Sequence, residues 1–190
     1  MKAKPIAARI DEVLVPLGFV RKKTAWRRET GPCVDIIVLQ VSKDGAAVTI
    51  NAGVIDREVH ELVWGPSPVG TLEEPFGTVR ARIGELLDGK DRWWSEHEAG
   101  AGDLADHIRL RVLPFLDEHH SARAMTDHLI RSKASSQKYP PPIIYLAVLK
   151  AKIGELEASR RLFDELLERV PAPWKDRIER VRQSLASVRP

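Results

Sequence analysis

The sequence predicts an α+β fold, in which an N-terminal helix packs on an antiparallel meander sheet of about five strands and further helices follow. Three observations support this prediction. Apolar residues recur at helical spacing between Pro5 and Gly18. Four segments of extended character follow, and short turn sequences separate them. After Pro142, the apolar residues return to helical spacing.

The first helix is expected to begin near Pro5 and to end at Gly18. Proline suits the first turn of a helix, because the N–H group that it lacks would have no partner there. The apolar stripe of this helix consists of Ile6, Ile10, Val13, Leu14 and Leu17. This stripe is the natural cover for one face of the sheet that follows.

Four strands are expected at residues 19–22, 25–29, 34–41 and 47–55, with turns at Lys23-Thr24, Gly31-Pro32 and Asp44-Gly45. An Asp-Gly pair favours a two-residue hairpin, here with Lys43 opposite Ala46. The same register places Leu39 opposite Ile50. Seven apolar residues then share the face that meets the first helix: Ile37, Leu39, Val41, Val48, Ile50, Ala52 and Val54.

A loop and one more strand are expected next. Residues 62–76 contain five glycine and proline residues, too many for regular structure. Residues 78–83 alternate apolar with basic side chains, which predicts a strand with Arg80 and Arg82 on one face. The Trp93-Trp94 pair is bulky enough to seal an edge of the sheet.

Two helices are expected before residue 131. Asp103 is a candidate N-cap for the first, and Ser121 is a candidate N-cap for the second. Pro114 is expected to bend or to end the first of these helices. Together, residues 1–131 are predicted to form one α+β domain.

The remainder of the chain is predicted to be a linker and a helical unit. Residues 132–142 are rich in serine and proline and form the linker, and residues 143–190 form the unit. Its three helices are expected at 143–152, 155–170 and 174–188. Four residues at the spacing of one tetratricopeptide repeat make the unit tetratricopeptide-like: Ala147, Gly154, Phe163 and Pro171. One repeat cannot bury its own apolar face, so we expect these helices to dock on the first domain or on a partner protein.

Several short strings occur in an order and spacing that are typical of one bacterial family. They are Leu17-Gly18-Phe19, Trp26-Arg27-Arg28-Glu29, Leu39-Gln40, Asn51-Ala52-Gly53, Arg80-Ala81-Arg82 and Asp91-Arg92-Trp93-Trp94. Over roughly residues 5–130, the chain resembles the family catalogued as domain of unknown function 4304. The resemblance implies a bacterial α+β protein, and it assigns no catalytic residue.

Composition excludes several classes of protein. The chain has 30 Lys plus Arg and 27 Asp plus Glu, well short of the clustered positive charge that duplex nucleic acid requires. Its single cysteine, Cys33, allows neither an intrachain disulfide nor a zinc site built on thiolates. No run of about 18 uncharged apolar residues is present to span a membrane, and acidic residues interrupt the N-terminal segment. We therefore expect a cytoplasmic protein without membrane contact.

No motif in the sequence specifies a chemistry. The chain lacks Gly-x-Ser-x-Gly, a phosphate loop and Gly-x-Gly-x-x-Gly, and no nucleophile signature surrounds Cys33. Histidines cluster at His119-His120 and near Glu96-His97-Glu98, but adjacent helical residues point about 100° apart and no i, i+4 histidine pair is present. We expect a solvated helix end at His119-His120, no metal site and no cofactor. The sequence favours a protein that is not an enzyme.

Two surfaces are candidates for ligand binding. The first is the mixed face of the sheet, which we expect to carry Gln40, Thr49, Asn51, Arg80 and Arg82. Neutral amides beside arginines suit a carboxylate, a phosphate or a peptide backbone, and these side chains should line an accessible concavity. The alternative is that the C-terminal helices cover this face and that its polar groups bond internally.

The second candidate is a basic hairpin at residues 21–28. Its cations are Arg21, Lys22, Lys23, Arg27 and Arg28, with Trp26 among them. Cations that hold phosphates and an aromatic ring that stacks on a base would suit weak binding of single-stranded nucleic acid. The alternative is an edge hairpin, whose lysines keep sheets from pairing with each other, with Trp26 in the core.

The leading hypothesis is a non-catalytic bacterial binding or adaptor protein that acts through protein–protein contact. By analogy alone, this role could be toxin-neutralising. One alternative is weak single-stranded nucleic-acid binding through residues 21–28, although nucleic acid is the less favoured partner. The other alternative is an uncharacterised enzyme with a site on the mixed sheet face.

Overall fold

The computed structural model describes residues 3–95, 98 and 103–187. The strands are β1 (Val20–Lys22), β2 (Ala25–Thr30), β3 (Cys33–Val41), β4 (Ala47–Asp56), β5 (Val79–Arg82) and β6 (Trp94–Ser95). They are antiparallel and follow the order β1–β2–β3–β4–β5, and β6 also pairs with β4. With the N-terminal helix and the helices that follow the sheet, this is the α+β fold that the sequence predicts.

The helices precede, interrupt and follow the strands in the chain. They are α1 (Ala3–Leu14), α2 (Arg57–Trp64), α3 (Ile83–Asp88), α4 (Asp103–His107), α5 (Leu113–Glu118), α6 (Ala122–Arg131), α7 (Pro141–Lys152), α8 (Leu156–Arg169) and α9 (Ala172–Ser187). Shorter turns of 3₁₀ helix lie at Val15–Leu17, Val69–Thr71, Glu74–Phe76 and Ala134–Ser136. The sequence did not predict α2 and α3, and the loop expected at 62–76 begins after Trp64.

The β3–β4 hairpin confirms the predicted register but not the predicted turn. Leu39 lies opposite Ile50, and both side chains are buried. The N–H of Gly45 donates to the carbonyl of Ser42 at 2.9 Å, so the β-turn spans Ser42–Gly45 instead of residues 43–46. The expected two-residue turn at Asp44-Gly45 is therefore wrong, and the loop between the last paired residues is longer. Asp44 accepts a hydrogen bond from the Ser42 hydroxyl at 2.6 Å, which helps to close this wider turn.

The two faces of the sheet are covered to different extents. The face that carries Ile37, Leu39 and Ile50 belongs to the main core, together with α1, α4 to α6 and α7. On the opposite face, Leu72 and its neighbours form a smaller apolar cluster over parts of β3 and β4. Its members are Val34, Ile36, Ile55 and Leu72, with Val38, Val69 and Phe76 packed against them. The half of this face nearer the β3–β4 turn is not part of that cluster.

Pro114 lies within a helical segment rather than at its end. The chain passes from α4 through a π-helical turn at Ile108–Val112 into α5, and the N–H of Leu113 donates to the carbonyl of Ile108. A proline lacks one N–H, and its ring clashes with the carbonyl four residues earlier in a regular α-helix. The wider turn just before Pro114 accommodates the ring, so the segment continues to Glu118.

The C-terminal helices contact α2 and the main core. The indole N–H of Trp64 donates to the hydroxyl of Tyr145 at 2.7 Å. Lys152 Nζ lies 2.8 Å from Asp56 Oδ2, at the residue that caps α2. All residues from 143 to 149 are buried and belong to the same apolar cluster as the sheet. Thus α7 is buried in the core that the sheet helps to form.

The predicted linker contains regular structure, and the observed C-terminal helices lie close to their predicted positions. Residues 132–142 include the 3₁₀ turn at Ala134–Ser136 and the beginning of α7. The bounds of α7, α8 and α9 lie within two residues of the predicted ones. The predicted end of the last helix, at residue 188, lies outside the described residues. Gly154 joins α7 to α8 with a φ of +84°, a conformation that favours glycine.

Candidate functional site

The open half of the second sheet face is a cavity of about 840 Å³, which we call the sheet concavity. Its floor is formed by β3 and β4, with Val38, Gln40 and Asn51 facing it, and residues 70–75 form one wall. Five cationic side chains surround it: Lys22, Lys23, Arg27, Arg80 and Arg82. No residue of α7 to α9 is among those that line it, so the C-terminal helices do not cover this face where the structure describes it.

The amides on the floor form an ordered chain of hydrogen bonds. Asn51 Nδ2 donates to Gln40 Oε1 at 2.6 Å, and Arg82 Nε donates to Asn51 Oδ1 at 3.1 Å. Arg82 Nη1 also donates to Asp91 Oδ1 at 2.7 Å. The carbonyl oxygen of Gln40 is thus engaged, whereas its amide nitrogen makes no hydrogen bond within the described part of the chain. Gln40 therefore presents the N–H groups of its side-chain amide to the sheet concavity.

Arg80 is bound by the carboxylate of Glu74, for which the sequence pattern contains no signal. Its Nε donates to Glu74 Oε1 at 2.7 Å, and its Nη2 donates to Glu74 Oε2 at 3.1 Å. The Glu74 side chain is only 6% exposed, so its buried charge requires compensation, which the bidentate contact with the Arg80 guanidinium provides. Gly77 leaves room for the pair, because a Cβ there would lie 2.7 Å from Arg80 Cγ.

Thr49 lies outside the sheet concavity, although the sequence placed it on the same surface. Its side chain is fully buried, and its hydroxyl donates to the carbonyl of Arg92 at 2.9 Å. The segment that leads into β6 covers it. Of the five residues predicted for this surface, the structure brings Gln40, Asn51, Arg80 and Arg82 together.

The basic hairpin is divided between the two faces of the sheet. Lys22, Lys23 and Arg27 line the sheet concavity. The other two cations lie elsewhere, since Arg21 pairs with Asp11 and Arg28 pairs with Asp35 and Asp117. The hairpin does not form one continuous basic patch.

Trp26 is part of the core. Its side chain is completely buried, and its indole N–H donates to Asp11 Oδ1 at 2.7 Å. It cannot stack on a nucleotide base in this position. The stacking element of the nucleic-acid hypothesis is therefore absent from the hairpin, and the alternative that placed Trp26 in the core is correct.

Two groups of predicted residues thus meet at one site, the amides of the mixed face and half of the hairpin cations. The strand register explains this meeting. Arg27 pairs with Ile36, and Ile36 pairs with Gly53, so Arg27 lies on the same face as Gln40 and Asn51. Extending the predicted register by one strand would have revealed it. The position of Glu74 had no such signal, because it lies in an irregular segment.

A second polar cluster lies on the opposite face, around the fully buried Asp35. Arg28 Nε and His120 Nε2 contact its two oxygens at 2.9 Å and 2.8 Å, and Arg28 Nη2 also reaches Asp117 at 2.6 Å. Asp35, Asp117 and His120 offer ligand atoms within 4.8 Å of one another. However, the guanidinium of Arg28 already bonds to both carboxylates, so a metal ion would meet a fixed positive charge. The cluster instead links β2 and β3 to the end of α5.

The expected solvated helix end at His119-His120 is wrong. His119 is only 2% exposed, and its Nδ1 lies 2.6 Å from the carbonyl of Phe115. His120 is half-buried against Asp35. These side chains close the core because the chain turns back over the sheet after α5. Residues 96 and 97 of the other histidine cluster, Glu96-His97-Glu98, lie outside the described residues.

Cys33 behaves as a small apolar residue. It is 1% exposed, and burial raises the pKa of its thiol to about 12, with further contributions from Asp56 and Asp35. A thiol with this pKa stays protonated near neutral pH and is a poor nucleophile. The structure therefore supports the interpretation of Cys33 as a small, buried apolar residue at the start of a strand.

The fold and the sheet concavity define a small α+β protein with an open, donor-rich surface on its sheet. The family model described as Domain of unknown function (DUF4304) matches residues 10–118, which is more than half of the chain. The chain belongs to this family. The matched region contains β1 to β5 and every residue named above as lining the sheet concavity. Neither the curated proteins nor the solved structures gave a match.

None of the helices in the described residues has the combination of length and apolar character needed to cross a membrane.

Proposed function

We propose that this protein is a non-catalytic binding or adaptor protein that recognises a partner protein through the sheet concavity. The observation that carries the proposal is a set of donors without partners. Lys22 and Lys23 have no hydrogen bond or ion pair from their side chains to the rest of the described chain. Arg27 uses only Nε, which donates to the carbonyl of Leu72 at 2.7 Å. A bound partner would supply the missing acceptors.

The same geometry favours binding over catalysis. A general acid or base must be free to exchange a proton with a substrate. Of the two carboxylates that line this site, the buried Glu74 has both oxygens held by Arg80, and Glu73 is exposed to solvent. No histidine lines the sheet concavity as described, and Cys33 lies on the opposite face. These features give the enzyme hypothesis no support.

A bacterial, cytoplasmic setting is part of the proposal. It rests on the bacterial character implied by the family resemblance and on the reduced, buried Cys33, which suits a reducing compartment. A toxin-neutralising role would be one form of such an adaptor function, and it rests on analogy with other small α+β proteins.

The proposal is tested by blocking the sheet concavity. Gly70 lies in its wall, a Cβ there would meet nothing within 4 Å, and its φ lies outside the left-handed region. Gly70→Trp should therefore fold normally and project a bulky ring at the site. Proteins retrieved from the native host with the full chain would each be purified and titrated by calorimetry against this variant.

The matched control is Ser136→Trp, which places the same ring at an exposed position away from the site. For a genuine partner, we expect at least tenfold weaker binding to Gly70→Trp and unchanged binding to Ser136→Trp. Thermal melts would verify that both variants are folded. A partner that binds the two variants equally well does not use the sheet concavity, and that result would overturn the proposal.

A further inference from the structure

We infer that the occupant of the sheet concavity is an extended, acidic segment of a partner protein. This inference rests on the proposed function and specifies the chemistry of the partner. It follows from the charge of the site, the direction of its hydrogen-bonding groups, its length across the strands and the residue types that line it.

The charge of the site is positive after its internal pairs are formed. Five cations and two carboxylates, Glu73 and Glu74, line the sheet concavity. Arg80 is neutralised by Glu74, and Arg82 is paired with Asp91. Lys22, Lys23 and Arg27 have no carboxylate partner in the described chain, and they lie side by side on the β1–β2 hairpin. A carboxylate-bearing ligand would complement them.

The guanidinium of Arg27 is preorganised to bind such a ligand. Its side chain is half-buried, and the bond from Nε to the carbonyl of Leu72 fixes the direction of its guanidinium. The two terminal nitrogens remain free of bonds within the described chain. A guanidinium whose orientation is already fixed loses less entropy when it binds a planar carboxylate with two parallel hydrogen bonds. This geometry suits an Asp or Glu side chain.

The floor also presents donors rather than acceptors. Asn51 uses its nitrogen to bind Gln40 and its oxygen to bind Arg82. The orientation of the Gln40 amide follows from this chain, because its oxygen must accept from Asn51. Its free N–H groups can then donate to a backbone carbonyl or to a second carboxylate. A peptide supplies both kinds of acceptor.

The free donors are spread over a distance that a single small anion cannot span. Lys22 lies on β1 and Gln40 on β3, and neighbouring strands are about 4.8 Å apart, so these free donors are spread over about 10 Å. An extended peptide covers this distance with about three residues. Lys22, Arg27 and Gly70 also line an adjoining groove of about 450 Å³, whose other lining residues are Gly18, Val20, Glu29 and Val69. Val20 is 73% exposed, so this groove offers an apolar contact beside the cations.

The residue types that line the site disfavour nucleic acid. Proteins that bind single strands combine cations with aromatic side chains on which the bases stack. Neither the sheet concavity nor the adjoining groove is lined by an aromatic residue of the described chain. The same cations can hold carboxylates without aromatic help. An acidic peptide therefore fits the surface better than an oligonucleotide does.

The test uses the full chain and a fluorescein-labelled hexaglutamate probe, followed by fluorescence anisotropy at low salt. Hexalysine, a six-nucleotide oligouridylate and inorganic phosphate serve as comparison ligands. We expect saturable binding of hexaglutamate that weakens as salt is raised, no binding of hexalysine, and weaker competition from oligouridylate and phosphate than from unlabelled hexaglutamate.

The decisive comparison is between two variants that lose the same charge. The first carries Lys22→Gln, Lys23→Asn and Arg27→Gln, with asparagine chosen because residue 23 has a φ of +59°. The control carries Lys90→Gln, Lys138→Gln and Lys175→Gln, and these three lysines are exposed and lie outside the site. We expect at least tenfold weaker hexaglutamate binding in the first variant and less than twofold change in the control.

A second measurement uses the wild-type protein, so its result does not depend on whether the first variant folds. A hexaglutamate probe with a photoreactive end group should cross-link to residues 20–27 or 70–75, as located by mass spectrometry. Cross-links confined to other regions, or equal losses of binding in the two variants, would overturn the inference. Tighter binding of oligouridylate than of hexaglutamate at the same cations would make the occupant a nucleic acid instead.

Failure of this inference can be distinguished from failure of the proposed function. If a purified partner loses affinity for Gly70→Trp but hexaglutamate does not bind, the site is correct and the acidic chemistry is wrong. If hexaglutamate binds at the hairpin cations but every purified partner tolerates Gly70→Trp, the proposed function is wrong, and the inference that depends on it is wrong as well.

Discussion

At the scale of single residues, three buried carboxylates each lie against a cation from another part of the chain. Asp35 contacts Arg28, Asp56 contacts Lys152, and Glu74 contacts Arg80. Removing one partner of such a pair leaves a charge in a poorly solvated place, which costs more than the intact pair contributes. These pairs are therefore constraints on how the loops and helices attach to the sheet.

Gly84 is the residue whose substitution we expect to be most disruptive for its size. A Cβ at this position would lie 2.2 Å from the carbonyl oxygen of Lys90 and 2.7 Å from the backbone nitrogen of Arg92. Backbone atoms cannot move aside as a flexible side chain can. We expect Gly84→Ala to lower the free energy of unfolding by about 2–3 kcal/mol, measured by urea denaturation. Gly70→Ala, which meets open space, should change it by less than about 0.5 kcal/mol.

His128 should make the stability of the fold depend on pH. Burial, together with the smaller effects of the neighbouring His119 and Arg131, lowers the pKa of His128 to about 4. Between about pH 6.5 and pH 4, the unfolded chain binds a proton at this residue that the folded chain does not bind. Stability is therefore full above this window and falls as the pH drops through it.

His128→Gln should remove this dependence. We expect the wild type to lose on the order of 2 kcal/mol more stability than the variant between pH 6.5 and pH 4. Urea denaturation of both proteins at several pH values measures the difference directly. Parallel curves for the two proteins over this range would show that His128 is not the source of the pH dependence.

At the scale of elements, the hydrophobic pattern predicted the strands and their register well, because a shift of one residue would expose the whole core face. The same pattern failed for α2 and α3. These helices are only 8 and 6 residues long, so their periodicity is too short to distinguish from a loop or a strand end. The turn at Ser42–Gly45 was missed because Asp-Gly fits more than one kind of tight hairpin turn.

The candidate site was predictable in part for the same reason. Strand periodicity put Arg80 and Arg82 on the face of Gln40 and Asn51, as observed. Their carboxylate partners were not predictable, because Glu74 is positioned by an irregular segment whose path depends on tertiary packing. The register also predicts Arg27 at the site, whereas local charge alone groups Arg27 with the other hairpin cations.

The attachment of α7 to the start of α2 should depend on Lys152. Its Nζ lies 2.8 Å from Asp56 Oδ2, while Asp56 Oδ1 accepts the N–H of Val59 and caps α2. Lys152→Met keeps most of the apolar stem but leaves the buried Asp56 without its cation. We expect the free energy of unfolding to fall by about 2 kcal/mol, because Lys152 remains partly solvated.

A surface pair provides the control for this prediction. Arg109→Met removes the cation of the Arg109–Asp106 pair, in which both side chains are more than half exposed. Its effect should be within about 0.5 kcal/mol. Adding Asp56→Asn to Lys152→Met should recover part of the lost stability, since the uncompensated charge is gone. Equal effects of the two methionine substitutions would contradict the proposed role of the buried pair.

At the scale of the whole molecule, the C-terminal helices share the core of the family domain. The family match ends at residue 118, yet α7 contributes a continuous run of buried residues to the apolar cluster that includes the sheet. Trp64 of the matched region is covered by this extension, through Tyr145 and through Arg177, whose Cζ lies 4.4 Å from the centroid of the Trp64 ring. The extension leaves the sheet concavity open, so the buried contacts of the C-terminal helices and the proposed binding surface lie on different sides of the sheet.

A chain that ends at Lys138 should therefore be less stable and less soluble than the full chain. It would expose the surface that residues 143–149 cover, including Trp64, and it would leave Asp56 without Lys152. Burial of each large aliphatic side chain contributes about 1.5–3 kcal/mol, so losing several of them exceeds the stability of a typical domain. A chain that ends at Val170 loses only α9, whose buried residues are Ile178 and Val181, and should keep a cooperative thermal melt. If the chain ending at Lys138 melted as cooperatively and at the same temperature as the full chain, the C-terminal helices would be an independent appendage, and their buried contacts with the sheet would contribute nothing to the fold.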